Sequence, residues 1–190
     1  MVLAGPNGAG KSTTAPRLLK GALGVAEFVN ADTIAQGLSA FAPEEAALLA
    51  GRIMLERAKE LAERRVNFAF ERTLASRSLV AWIRPLCDEA GYRVHLLFLW
   101  LSDAETAVAR VRERVRAGGH DVPEETIRRR YDRGLQNLFG LYQLLATTWR
   151  LYDNSREVGP RLVASGGRRL QVRVRDASTW ARVLEVAEHA

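Results

Sequence analysis

Residues 5 to 13 read Gly5-Pro6-Asn7-Gly8-Ala9-Gly10-Lys11-Ser12-Thr13, and this stretch constrains the fold more than any other part of the chain. Gly5-x-x-x-x-Gly10-Lys11-Ser12 matches the phosphate-binding P-loop pattern at every specified position. The pattern carries its chemistry only between a strand and a helix. Here the apolar Val2 to Ala4 precedes it, and a segment that turns helical by Leu18 and Leu19 follows. Gly8 and Gly10 let the backbone amides turn inward around phosphate oxygens, and the helix that follows adds its partial positive end. Lys11 is placed to hold the β- and γ-phosphates and Ser12 to ligand Mg²⁺, so residues 5 to 13 form an expected ATP or GTP site. Only Met1 to Ala4 precede the loop, roughly 13 Å of chain at ~3.3 Å per residue, which predicts a short strand and leaves room for a start upstream of Met1.

Downstream, strand and helix patterns alternate. Glu27 to Asn30 is a second strand candidate, Pro43 to Arg65 a long helical stretch, and Asn67 to Glu71 a third strand. Leu79 to Ala90 reads as a helix stopped by Gly91, and Tyr92 to Leu101 as the longest and most apolar strand, which belongs mid-sheet. Ser102-x-x-Glu105 reads as a capping box, and Asp121-x-x-Glu124, with Pro123 in the first turn, opens a helix whose stripe runs from Ile127 to Leu145. Trp149 to Asp153 is a fifth strand candidate. Leu162 to Ala164 and Leu170 to Val174 flank Ser165-Gly166-Gly167 as a hairpin, and Thr179 to Glu188 is a closing helix. The expected fold class is therefore α/β: a three-layer P-loop NTPase sandwich with a mainly parallel central sheet, a helical lid region and a C-terminal antiparallel hairpin. One domain over residues 1 to 190 is expected, with 156 to 190 a hairpin-helix extension.

Composition narrows the class further. With 190 residues, 47% hydrophobic and 26% charged, the chain has the make-up of one ordinary globular domain. No apolar run approaches the ~20 residues that cross a bilayer, and the N-terminus lacks the apolar stretch of a secretory signal, so a cytoplasmic chain is expected. Cys87 is the single cysteine, which excludes an intrachain disulfide. The net charge of +6 comes almost wholly from arginine, since Lys11, Lys20 and Lys59 are the only lysines. Most of these arginines are read as solvated helix faces, and charge alone does not make a nucleic-acid protein. The C-terminal Arg168-Arg169-Leu170-Gln171-Val172-Arg173-Val174 alternates cations with apolar residues, which predicts an edge strand with one packed face and one protective basic face.

The same loop spelling occurs in ABC-transporter ATPases, but the chain has neither a Leu-Ser-Gly-Gly-Gln-like signature nor an Asp-Glu pair closing an apolar strand. Asp103 falls within a helix cap instead. No Asn-Lys-x-Asp base-recognition motif of a GTPase is present. Small P-loop kinases remain. The loop, Asn30-Ala31-Asp32, Phe68-Ala69-Phe70-Glu71-x-Thr73-Leu74, Gly118-Gly119-His120 with Pro123, Arg128-Arg129-Arg130-Tyr131 and Tyr152-Asp153-Asn154-Ser155 together resemble the zeta-toxin family of P-loop kinases over residues 1 to about 155. The likeness is to its stand-alone bacterial branch, whose members carry the description of predicted ATPases. It implies ATP-dependent phosphorylation of a hydroxyl with Mg²⁺; in characterised members the acceptor is a UDP-linked amino sugar, and an Asp after the second strand is the base. The sequence identifies no antitoxin partner.

Asp32 occupies that position, at the C-terminal end of the second strand beside the loop, where open α/β sheets bind ligands. It can take the acceptor's proton, or it can serve as N-cap of the helix at Thr33-Ile34-Ala35. Glu71, at the same sheet edge, is a candidate to hold the acceptor or a Mg²⁺-bound water, with a structural ion pair as its other reading, and Thr73 matches the hydroxyl-bearing acceptor-site position that the resemblance implies. Arg72 between them departs from the branch, which usually has Thr there. Cations for the transferring phosphoryl group are sought near Gly118-Gly119. Arg110 and Arg114 border one side of their helix stripe and Arg112 and Arg116 the other; Arg114, with Arg130 on the following helix in preference to Arg129, is the expected pair. His120 is read as a loop residue. The alternatives to a kinase are a nucleic-acid-associated P-loop ATPase and a nucleotide-binding scaffold.

Overall fold

The computed structural model describes all residues except 17, 20–23, 41, 44, 157 and 190. The strands are β1 (Val2–Ala4), β2 (Glu27–Val29), β3 (Phe68–Arg72), β4 (His95–Trp100), β5 (Thr148–Asp153), β6 (Arg161–Gly167) and β7 (Leu170–Val174). The helices are α1 (Lys11–Ala15), α2 (Ala31–Leu38), α3 (Ala47–Glu63), α4 (Ser78–Asp88), α5 (Ala104–Arg116), α6 (Glu124–Asn137), α7 (Gln143–Leu145) and α8 (Ala177–His189). A π-helical turn, Leu138–Tyr142, joins α6 to α7. The expected start of α3 near Pro43 runs across position 44, outside the described residues.

The sheet order is β2-β3-β1-β4-β5-β6-β7. β2, β3, β1, β4 and β5 pair in parallel, and β5, β6 and β7 pair antiparallel. The mainly parallel sheet and the appended hairpin are as the sequence predicts, and β4, the most apolar strand, is the middle one. Alternate residues of the central strands feed two cores. Phe68, Phe70, Phe98 and Trp100 pack on the side of α3 and α4, and Leu3, Ala69, Leu97 and Leu99 on the side of α1 and α5. Each large apolar side chain fully buried there stabilises the layers by roughly 1.5–3 kcal/mol. All the parallel strands therefore end on one side, where β1 runs into the phosphate loop.

Several local expectations need correction. α5 is capped by Asp103, whose side chain accepts from Thr106 N, so Ser102 is not the cap. α6 begins one residue after Pro123, and Asp121 accepts from its neighbour Val122 N instead of capping the helix. Ser165-Gly166-Gly167 is not the hairpin turn but the end of β6. The reason is steric: a Cβ on Gly166 would lie 2.7 Å from the Trp149 ring, and one on Gly167 would collide with the Thr147 carbonyl. These glycines mark close approach of chains, not reversal. β7 packs neither face, because all five residues are exposed, including Leu170, Val172 and Val174. α8 packs on α6 and β6, one strand short of the edge.

Candidate active site

The loop is held in shape from outside. Gly8 has φ +76°, and a Cβ there would sit 2.7 Å from the carbonyl of Ala107 in α5, so the turn both needs glycine's conformational freedom and fits directly against that helix. Asn154, just past β5, donates to Ala9 O at 2.9 Å. Arg110 in turn donates to the carbonyls of Asn154 (2.7 Å) and Ser155 (3.0 Å), fixing that segment. Lys11 is buried, and its ammonium folds onto Pro6 O at 2.8 Å and lies 3.5 Å from Glu71 Oε1. Burial lowers the Lys11 pKa, and the carboxylates of Glu71 and Asp32 oppose that shift.

Glu71 meets the loop from β3. Its Oε2 accepts from Ser12 Oγ at 3.0 Å and from Asn30 Nδ2 at 2.9 Å, so it faces the phosphate loop. A serine hydroxyl beside a carboxylate is the oxygen donor set that Mg²⁺ takes, with nucleotide phosphates and water completing its shell, so the residues present fit the ion.

Asp32 stands apart from that cluster. The N-cap of α2 is Asn30, whose Oδ1 accepts from Asp32 N at 2.7 Å and Thr33 N at 3.4 Å, which overturns the cap reading of Asp32. Among the described residues its carboxylate has no hydrogen-bond partner; it is exposed in the first turn of α2 and acts electrostatically on Lys11 and Arg130.

These groups share one cavity of about 840 Å³, lined by the loop, Asp32, Glu71, Arg72, Thr73, Arg114 and Arg130 among others. Arg114 donates to His120 O at 2.7 Å, and its Nε is buried without a hydrogen-bond partner. Arg130 reaches Asn7 Oδ1 at 3.5 Å, whereas Arg129 is exposed and turns to Thr126. Burial lowers the Arg130 pKa, against the pull of Asp32. Arg112 is not part of the site, because it pairs with Glu124, and Arg116 does not line the cavity. His120 lines it at the α5–α6 loop.

The segment after β3 is clamped to α6. Leu74 is buried with φ +61°, a conformation costly for a non-glycine residue, and Asn137 donates to its carbonyl at 2.8 Å. Tyr142 donates to Ser76 O at 2.5 Å, and a Cβ on Gly134 would lie 2.5 Å from Thr73 O. Asn30, Asn137 and Asn154 brace the walls of the cavity, roles that sequence reasoning did not assign. Only Asn30 had a local signal, as an Asx residue immediately before a helix.

A protein-family model described as an AAA domain matches residues 1–135. The chain belongs to the AAA-domain family. An uncharacterized Haemophilus influenzae protein is 29% identical to this AAA-domain chain over 127 residues, 67% of this chain and 88% of the relative. Among solved structures, AvrRxo1-ORF1:-ORF2 with ATP is similar at TM-score 0.73 and 16% identity, over 96% of this chain and 62% of that one. The chain thus spans less than two thirds of that protein's length. The PezAT toxin–antitoxin system of Streptococcus pneumoniae is similar at TM-score 0.64 and 15% identity, over 99% of this chain and 84% of that one. At the level of fold, this AAA-domain chain is similar to AvrRxo1-ORF1:-ORF2 and PezAT, and the P-loop fold is the one its motifs predict. Among the described residues no helix is long and apolar enough to cross a membrane.

Proposed function

We propose that this chain is an ATP-dependent kinase that transfers the γ-phosphate to a hydroxyl of a small molecule, with Asp32 as the base. The observation that carries this reading is a carboxylate that, among the described residues, has no hydrogen-bond partner, in a cavity shared with a complete phosphate loop. In the transfer, the acceptor oxygen bonds to the γ-phosphorus as its proton passes to Asp32, the bond from that phosphorus to the β–γ bridging oxygen breaks, and ADP departs. Lys11, Arg114 and Arg130 supply positive charge around the phosphoryl group, and Thr73 offers the acceptor a hydroxyl partner. Mg²⁺ held at Ser12, with Glu71 beside it, would supply charge neutralisation on the phosphates when bound. Glu71 bonds to the loop itself, which supports a metal-end role over acceptor contact.

A UDP-linked amino sugar is the first acceptor to try, on the zeta-toxin resemblance, and the PezAT likeness supports a search for a protein partner. The deciding experiment is single-turnover transfer from labelled ATP to cell metabolites by the wild type and Asp32→Asn. Because Asn30 carries the cap, Asp32→Asn should keep its melting temperature and ATP affinity while transfer falls by about 10²–10⁴. Retention of more than about a tenth of the rate sinks the assignment of the base.

A further inference from the structure

β7 closes the sheet and pairs only with β6, so its outer edge is open among the described residues. Arg175 N donates to Val163 O, and the backbone groups of alternate strand residues point the same way, so the N–H and C=O of Val172 and Val174 face outward. The side chains divide as sharply. Val174 stands opposite Ala164, itself opposite Leu151, which places Leu170, Val172 and Val174 on the face that α8 covers only as far as β6. They are 57%, 53% and 42% exposed. Arg173 stands opposite Ser165, itself opposite Arg150, on the other face. With Arg169 these arginines line a hollow of about 440 Å³, and among the described residues their guanidiniums make no ion pair or hydrogen bond.

An open edge with apolar side chains on one face is a template for another strand. Charge selects the kind of strand. No acidic residue occurs from Pro160 to Arg175, while Arg169, Arg173 and Arg175 punctuate the edge. A second copy fits poorly: antiparallel pairing centred on Val172 sets Arg169 opposite Arg175, and centring on Arg173 sets that residue against itself, like charges that destabilise a cross-strand pair. RNA fits poorly too, because β7 has no aromatic ring on which a base can stack, and a phosphate backbone cannot continue a β ladder. An acidic strand answers all three features at once. Its backbone completes the ladder, its apolar residues cover Leu170, Val172 and Val174, and its carboxylates take the arginines.

We propose that β7 is a docking edge for an extended segment of another protein in which acidic and apolar residues alternate, added to the sheet as a further strand. No residue of β7 lines the cavity of the phosphate loop, so this docking stands independently of the kinase reading.

The test titrates the full chain into a fluorescent, end-blocked peptide of alternating valine and glutamate, followed by anisotropy. The peptide should bind saturably, and its counterpart with lysine for glutamate should not. The same valine-glutamate peptide N-methylated throughout has no N–H to donate and should bind about tenfold more weakly or worse. On binding, amide exchange of Val172 and Val174 should slow by about tenfold or more, whereas that of Arg175, already bonded to Val163 O, should change little. Val172→Pro removes an outward N–H without breaking a bond to β6, so it should lose the peptide and keep the fold. Should that variant misfold, Arg169→Glu with Arg173→Glu decides, since it should turn the preference of the edge from the glutamate to the lysine peptide; an unchanged preference overturns the proposal. Absent binding by the wild type, equal binding of the N-methylated peptide, equal binding by a folded Val172→Pro, or unchanged exchange at Val172 and Val174 overturns it as well. An oligouridylate bound more tightly than the peptide assigns the basic face to RNA instead. A dimer in sedimentation velocity that Val172→Pro dissolves assigns the edge to a second copy, and either result overturns the choice of an acidic strand.

Discussion

Asn137 is the support whose removal is most informative, because its amide is the bond that holds Leu74 in its strained turn. It is 5% exposed and donates to Leu74 O at 2.8 Å, across 63 residues of sequence. Asn137→Ala leaves that carbonyl without its donor in a buried place, a loss of about 1–3 kcal/mol. The left-handed turn at Leu74 stores a further strain of order 1–3 kcal/mol that the bond no longer opposes, so the segment should relax instead of showing the whole sum. For a chain of this size ~2 kcal/mol corresponds to a fall in melting temperature of about 4–8 °C. Asn137→Asp should be worse than alanine, since it sets a buried carboxylate against a carbonyl oxygen. Chemical denaturation of the three proteins gives the order, and an ATP titration should show nucleotide affinity intact in both variants, because the phosphate loop is braced from Asn154 and α5 instead. If Asn137→Ala loses less than about 0.5 kcal/mol, or Asn137→Asp equals the wild type, the clamp does not work as described.

Gly8→Ala should abolish the thermal shift produced by Mg²⁺ and ATP, since the new Cβ both strains a φ of +76° and runs into Ala107 O; an undiminished shift would place the nucleotide elsewhere. Asp176 accepts from Thr179 N and from the hydroxyls of Ser178 and Thr179, and the backbone bond, the largest cause, helps bring its pKa from 3.8 to about 2. A depressed carboxylate contributes stability above its unfolded value that is lost as pH falls, so acid unfolding between about pH 4 and pH 2 should flatten in Asp176→Asn, measured by circular dichroism.

The phosphate loop and the parallel sheet were legible because their signals are local: a nine-residue spelling, and apolar runs whose length separates strand from helix. Asp32, Arg114 and Arg130 could be nominated from the same register and do line one cavity. What could not be read was each residue's partner. Asn154 finds Ala9 and Asn137 finds Leu74 only after the sheet has formed, and nothing near either residue announces the contact. The two glycines of the hairpin misled for a related reason, since a glycine spared for a tryptophan ring across the sheet looks, in sequence, like one spared for a turn.

Glu71 and Arg72 are adjacent in sequence yet serve opposite sides of β3, one at the phosphate end and the other toward Tyr142. The alternation of the strand therefore separates two selective pressures by a single peptide bond. Substitution at position 72 leaves the bonds of Glu71 to Ser12 and Asn30 in place. A one-residue insertion or deletion after Ala69 would exchange the two faces and carry the carboxylate of Glu71 away from the phosphate loop. Descendants of such a scaffold can drift at position 72 while the length of this strand stays fixed.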